Sequence, residues 1–139
     1  MTDLTRILIV DDDPDFTESL ACFLEARGHR VMRASDSDQG IELARTCRPE
    51  AIVMDVMMRE RTEGFFAIQE IRRLPGLADV PVFAVSAIYT AEPAFTIAPD
   101  TGWLAHDEFF HKPVDLDELA LRIESRIADR REQEEARLP

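Results

Sequence analysis

Short apolar runs, each stopping at a polar group, alternate along this chain with longer stretches whose apolar residues recur every three or four positions. Ile7-Leu8-Ile9-Val10 ends in Asp11-Asp12, Ala51-Ile52-Val53-Met54 in Asp55, Val82-Phe83-Ala84-Val85 in Ser86, and Phe109-Phe110-His111 in Lys112. Uninterrupted apolar runs of this length read as strands buried on both faces, as in a parallel sheet. Arg30-Val31-Met32-Arg33-Ala34 is shorter of apolar residues and reads as an edge strand. The stretches between read as helices. Pro14 suits the first position of one, with Asp13 as its cap, Phe16, Leu20, Phe23, Leu24 and Arg27 at helical spacing and Gly28 as the stop. Ser35-Asp36-Ser37 offers caps for a second helix through about Cys47, with Ile41 and Ala44 facing inward. A third begins at Gly64, is buried by Phe65, Ile68 and Ile71, and runs through Leu74 to Pro75-Gly76. Asp115 with Glu118 makes a capping box for the last, whose Leu116, Leu119, Ile123 and Ile127 form one stripe. This alternation predicts an α/β fold built on a doubly wound parallel sheet.

The pattern breaks in three places. Residues 57–63 form a charged loop containing Arg59, Glu60, Arg61 and Glu63. Residues 88–107 are interrupted by Pro93, Pro99 and Gly102 and predict a loop with at most a short helix, where Trp103 reads as an aromatic covering the core in preference to a partner-binding or switch residue. Residues 129–137 are almost all charged and predict a solvated continuation of the last helix, fraying outward. The 139 residues therefore predict one domain, 1–128, followed by a charged helical tail, 129–139, and no output domain.

Composition narrows the function. No apolar run reaches membrane-spanning length, and Met1-Thr2-Asp3 is too acidic for a signal peptide, so a cytoplasmic protein is expected. Cys22 and Cys47 sit in predicted helices without CxxC spacing, which predicts buried or half-buried thiols. A net charge of −12, with no basic cluster apart from acids, disfavours direct nucleic-acid binding.

Strand ends supply the candidate chemistry, because open α/β sheets bind ligands at their carboxyl edge. Asp11, Asp12 and Asp55 would share that rim with the hydroxyl of Ser86 and the ammonium of Lys112. Clustered carboxylates repel one another, and Mg²⁺, which prefers oxygen ligands and takes one or two carboxylates, resolves the repulsion. Asp55 could then attack phosphorus to form an acyl phosphate. The cation, Lys112 and Ser86 would each take one equatorial oxygen, and small Ala87 leaves room for the donor. Each residue alone has a plainer reading. Asp11 to Asp15 serves equally as a helix-capping turn, Lys112 as a surface lysine, Ser86 as a strand-end hydrogen bonder. Only their shared placement favours the phosphoryl site.

In these anchors, Asp11-Asp12, Asp55, Ser86 and Lys112-Pro113, the chain resembles the receiver domain of two-component response regulators over residues 5 to about 128. The resemblance implies a flavodoxin-like five-stranded sheet of order 2-1-3-4-5 with helices on both faces. It implies Mg²⁺ touched by Asp12, Asp55 and the backbone carbonyl of Met57, with Asp11 acting mostly through water. It implies phosphorylation of Asp55 by a histidine kinase or histidine phosphotransfer protein, a cis Lys112–Pro113 bond, and a switch through Ser86 and Phe109. Turnover of the aspartyl phosphate would be self-catalysed, so the chain is not an enzyme in the ordinary sense. The downstream protein is unknown and a homodimer is possible. Two loops depart from the family: Arg59 stands where a proline is usual with Gly64 one residue late, and the segment between Ser86 and Lys112 runs long. Two other readings stay open, a pseudo-receiver that works unphosphorylated as an interaction module, and a small Mg²⁺-dependent phosphatase suggested by the Asp11-x-Asp13 spacing.

Overall fold

A computed structural model describes residues 5–56, 63–86 and 107–136, with backbone alone for residues 63–65. The readings on Met57, Arg59, Ala87, Trp103 and the rest of segment 88–106 lie outside these residues. Five strands, β1 (Arg6–Val10), β2 (Arg30–Ala34), β3 (Ala51–Asp55), β4 (Val82–Ser86) and β5 (Glu108–His111), alternate with helices α1 (Pro14–Ala26), α2 (Ser37–Cys47), α3 (Glu63–Arg72) and α4 (Leu116–Ala136). All strand pairings are parallel, as the alternation predicts, in the order β2-β1-β3-β4-β5 that the resemblance implies.

The period of two along each strand sorts the core into two layers. Leu8, Val10, Ile52, Met54, Val82 and Ala84 face α2 and α3, meeting Ala44, Ala67, Ile68 and Ile71. Ile7, Ile9, Ala51, Val53, Phe83 and Val85 face α1 and α4, meeting Leu20, Leu24, Leu119, Ile123 and Ile127. Because both faces are covered, every residue of β3 and β4 is buried, which is why their sequences do not alternate. Gly40 makes one of these contacts possible: a Cβ there would come within 2.8 Å of the Val10 side chain, at the strand end that carries Asp11.

Caps end the helices where the sequence places them. Asp13 Oδ1 accepts from the backbone N–H groups of Asp15 and Phe16, and Asp36 Oδ1 from that of Gln39. Asp115 Oδ1 accepts from the N–H of Glu118. Cys22 departs from expectation. It is exposed, because Leu20, Ala21 and Leu24 occupy the inward stripe of α1, while Cys47 is half-buried; both thiols are free.

Two further features are tertiary. Asp107, just ahead of β5, accepts from the N–H of Val82 at 2.9 Å and from Arg72 Nη2 at 2.5 Å, and Arg72 also donates to the carbonyl of Val80. This buried pair ties the end of α3 to β4 and β5. Beyond Ile127, α4 stays helical to Ala136 and is held to the body. Arg130 donates to Gly76 O at 2.9 Å and to Asp79 at 3.1 Å, and Arg131 donates to Glu50 at 2.8 Å.

On the α1/α4 side, the Arg27 guanidinium grips Glu124 through Nε at 2.9 Å and Nη2 at 2.5 Å, and His29 Nε2 lies 2.7 Å away. The Arg27 hydrogen bonds, helped by His29 and opposed by burial, hold the Glu124 carboxyl down at about 2. A depressed carboxylate stabilises the fold above its unfolded pKa, and that stability goes as pH falls through the folded value. Between about pH 4.5 and pH 2 the wild type should therefore lose about 1 kcal/mol more than Glu124→Gln, after allowing for solvent screening of this partly exposed pair. Urea melts of both proteins across that range check it; parallel curves would contradict it.

Candidate functional site

The carboxyl ends of β1, β3, β4 and β5 converge on one rim. Asp11 follows the last residue of β1, with its N–H on the carbonyl of Ala34 at 3.0 Å. Asp55 closes β3 in register with Val85 of β4. Ser86 ends β4 fully buried, and its carbonyl accepts from the N–H of Lys112 at 2.8 Å. The Lys112–Pro113 peptide is cis.

One ligand oxygen from each of Asp11, Asp12 and Asp55 lies within 4.8 Å of the others. Asp11 and Asp55 are buried, whereas Asp12 is exposed and opens the cluster to water. A set of oxygens alone, with one open side, fits a hard divalent cation that keeps part of its hydration shell. Among the described residues this is the only group of acids, histidines or cysteines so arranged.

Lys112 reaches the cluster from the opposite strand. Its Nζ lies 2.8 Å from Asp11 Oδ2 and 3.8 Å from Asp55 Oδ2, with the lysine side chain 15% exposed. Asp11 Oδ2 makes no directed hydrogen bond, so the contact with Lys112 is an ion pair and not an aligned N–H···O. The other oxygen of Asp11 accepts from the N–H of Asp13 at 2.9 Å. Asp11 therefore holds the lysine and braces the loop into α1, a dual task that its place in an acidic run does not reveal.

Phe109 is half-buried against the α2/α3 layer and meets His111 edge-on at 5.0 Å between centroids. Phe16 has a second contact that the sequence reading did not reach. It packs against the α1/α4 layer as its helical spacing implies, and its ring centroid also lies 4.5 Å from Lys112 Nζ. Periodicity identifies the face of a helix, but side chains in a first turn point back over the helix start, here the acidic loop.

The larger clefts lie away from this rim. One, at the amino edge of the sheet, is lined by Arg6, Arg48, Arg130 and Arg131, but three of these arginines are engaged by Glu50, Asp79 and backbone carbonyls.

Known proteins carry the same pattern. The family model described as "Response regulator receiver domain" matches residues 7–124. The DNA-binding dual master transcriptional regulator RpaA of Synechocystis is 33% identical over 120 residues, covering 86% of this chain and 48% of that protein. Protein PilH of Pseudomonas aeruginosa is 35% identical over 83 residues, 60% of this chain and 68% of that protein. The chain thus spans about half the length of RpaA. A CheY-like response regulator receiver domain protein from Methanospirillum hungatei JF-1 superposes with a TM-score of 0.80 at 22% identity, over 94% of this chain and 99% of that one, which establishes the shared fold. With strand order, rim and match agreeing over residues 7–124, the chain belongs to the response regulator receiver domain family.

Proposed function

We propose that this receiver domain is a phosphoacceptor in a two-component phosphorelay, taking a phosphoryl group onto Asp55 from a histidine kinase or histidine phosphotransfer protein. The observation that carries the reading is the position of the Asp55 carboxylate, 3.8 Å from the Lys112 amine and within 4.8 Å of ligand oxygens on Asp11 and Asp12. An Asp55 oxygen attacks phosphorus while the bond to the donor's imidazole nitrogen breaks, and the departing nitrogen keeps the electron pair. Lys112 takes charge on one equatorial oxygen, and Ser86, buried at the end of the next strand, is the donor for another.

Asp12, Asp55 and the Met57 carbonyl would hold Mg²⁺, with Asp11 alongside. When bound, that ion neutralises charge on the phosphoryl oxygens. After transfer, Asp11 no longer competes alone for the lysine, since the new dianion on Asp55 draws the ammonium. Repacking at Ser86 and Phe109 would then alter the surface offered to a downstream protein.

The test is intact mass after incubation with Mg²⁺ and acetyl phosphate. One added phosphoryl group is expected, and removal of the metal with EDTA should prevent it. No mass gain, together with no metal-dependent response to beryllofluoride, would overturn the reading in favour of an unphosphorylated interaction module.

A further inference from the structure

We propose that Phe16 is a positioning residue for Lys112, its ring face holding the ammonium above the two carboxylates from which phosphoryl transfer is served. The kinetic consequence rests on the phosphoacceptor reading above; the contact itself does not.

Three observations lead there. The Lys112 amine has three N–H donors, and among the described residues Asp11 Oδ2 at 2.8 Å, Asp55 Oδ2 at 3.8 Å and the Phe16 ring at 4.5 Å lie around it. The ring is itself fixed, half-buried against the α1/α4 layer, with its backbone N–H on Asp13 Oδ1 at 3.3 Å. Asp13 in turn donates its own N–H to Asp11 Oδ1 at 2.9 Å. Lysine, ring, cap and acid therefore close a circuit at the mouth of the site.

The physical need is clear. A lysine amine on a four-carbon stem has no preferred direction of its own, unlike the planar fork of arginine. Asp11 already holds it at 2.8 Å, and carboxylates alone would not keep it turned toward Asp55, 3.8 Å away. An aromatic face attracts a cation through its quadrupole yet carries no charge and accepts no strong hydrogen bond. It can hold the amine over the site without competing with an incoming phosphoryl group. An aliphatic side chain of equal bulk would fill the same space and lack that attraction.

That difference defines the experiment. Lys112 is the only lysine in the sequence, so lysine labelled with ¹³C gives one ε-methylene resonance, readable without metal or phosphoryl donor. In the wild type it should be displaced upfield by the Phe16 ring current. Phe16→Leu and Phe16→Met should return it to the position of a free lysine, and Phe16→Trp should restore the displacement. With Mg²⁺ and acetyl phosphate, Phe16→Leu should be modified about three- to tenfold more slowly, and Phe16→Trp should recover most of the rate. Phenylalanines of increasing fluorine content at position 16, nearly constant in shape, should slow the reaction in step with the weakening of the ring face. Thermal midpoints of each variant separate loss of fold from loss of position.

Equal rates for Phe16, Leu and fluorinated variants would overturn the proposal and leave Phe16 a core side chain. An undisplaced lysine resonance in the wild type would overturn it directly. A wild type that gains no phosphoryl group while its lysine resonance is displaced would sink the phosphoacceptor reading, and with it the positioning role, but not the contact.

Discussion

Asp55→Asn should abolish the mass gain from acetyl phosphate while leaving the protein folded, and Lys112→Met should slow it about a hundredfold without abolishing it. The two differ because they remove different parts of the reaction. The amide of asparagine at position 55 is not a nucleophile towards phosphorus, so no acyl phosphate can form. It is nearly isosteric, and β3 around it is wholly buried by apolar packing that the change does not touch. Methionine at position 112 keeps the length of the side chain but supplies no charge to an equatorial oxygen. It also leaves Asp11, 2% exposed, without its cation, so some loss of stability should accompany the loss of rate. Intact mass followed over time, with beryllofluoride binding as a second measure, distinguishes the two. Modification of Asp55→Asn at the wild-type rate would place the acceptor elsewhere.

Asp107→Ala should cost about 3–5 kcal/mol, the largest expected effect of any single change outside the rim. The Asp107 side chain has no exposure and that of Arg72 only 9%, so neither charge can fall back on water. Removing the carboxylate takes the buried anion from the guanidinium, which keeps its bond to the carbonyl of Val80, and takes the acceptor Asp107 Oδ1 from the N–H of Val82. Asp107→Asn keeps that acceptor and should cost about half as much. Replacing the pair together by Arg72→Met and Asp107→Leu should recover only part of the loss, because the apolar pair buries no charge but still leaves the N–H of Val82 without its acceptor. Urea unfolding midpoints decide it, and a loss below about 1 kcal/mol for Asp107→Ala would show that the pair contributes little.

The strands and helix caps were legible because their signals are local. A wholly apolar run between turns has one physical home, and Asp13-Pro14 or Asp36-Ser37 starts a helix by bonds that span three residues. The rim was legible for a related reason. In a parallel sheet all carboxyl ends lie at one edge, so residues far apart in the chain that follow apolar runs must share it. The order of residues alone therefore brings Asp11, Asp12, Asp55, Ser86 and Lys112 to one edge.

The remaining features depend on directions that periodicity does not carry. Cys22 and Leu24 stand on the same helix two residues apart, and only the packed structure decides that one meets water and the other the sheet. Arg72 and Asp107 find each other across thirty-five positions because α3 ends beside the start of β5. Arg130 and Arg131 lie in a run that reads as solvated, yet the helix carries them to Gly76, Asp79 and Glu50.

By itself, then, the order of apolar and polar residues determined the sheet, its helices and which side chains reach its carboxyl edge. Only the tertiary structure decided their partners: that Asp11 holds Lys112, and that Phe16 faces the amine. The physical reason is that burial follows from hydrophobic pattern, which is written along the chain. A contact between two side chains follows from the angle and distance between elements, which no one segment contains.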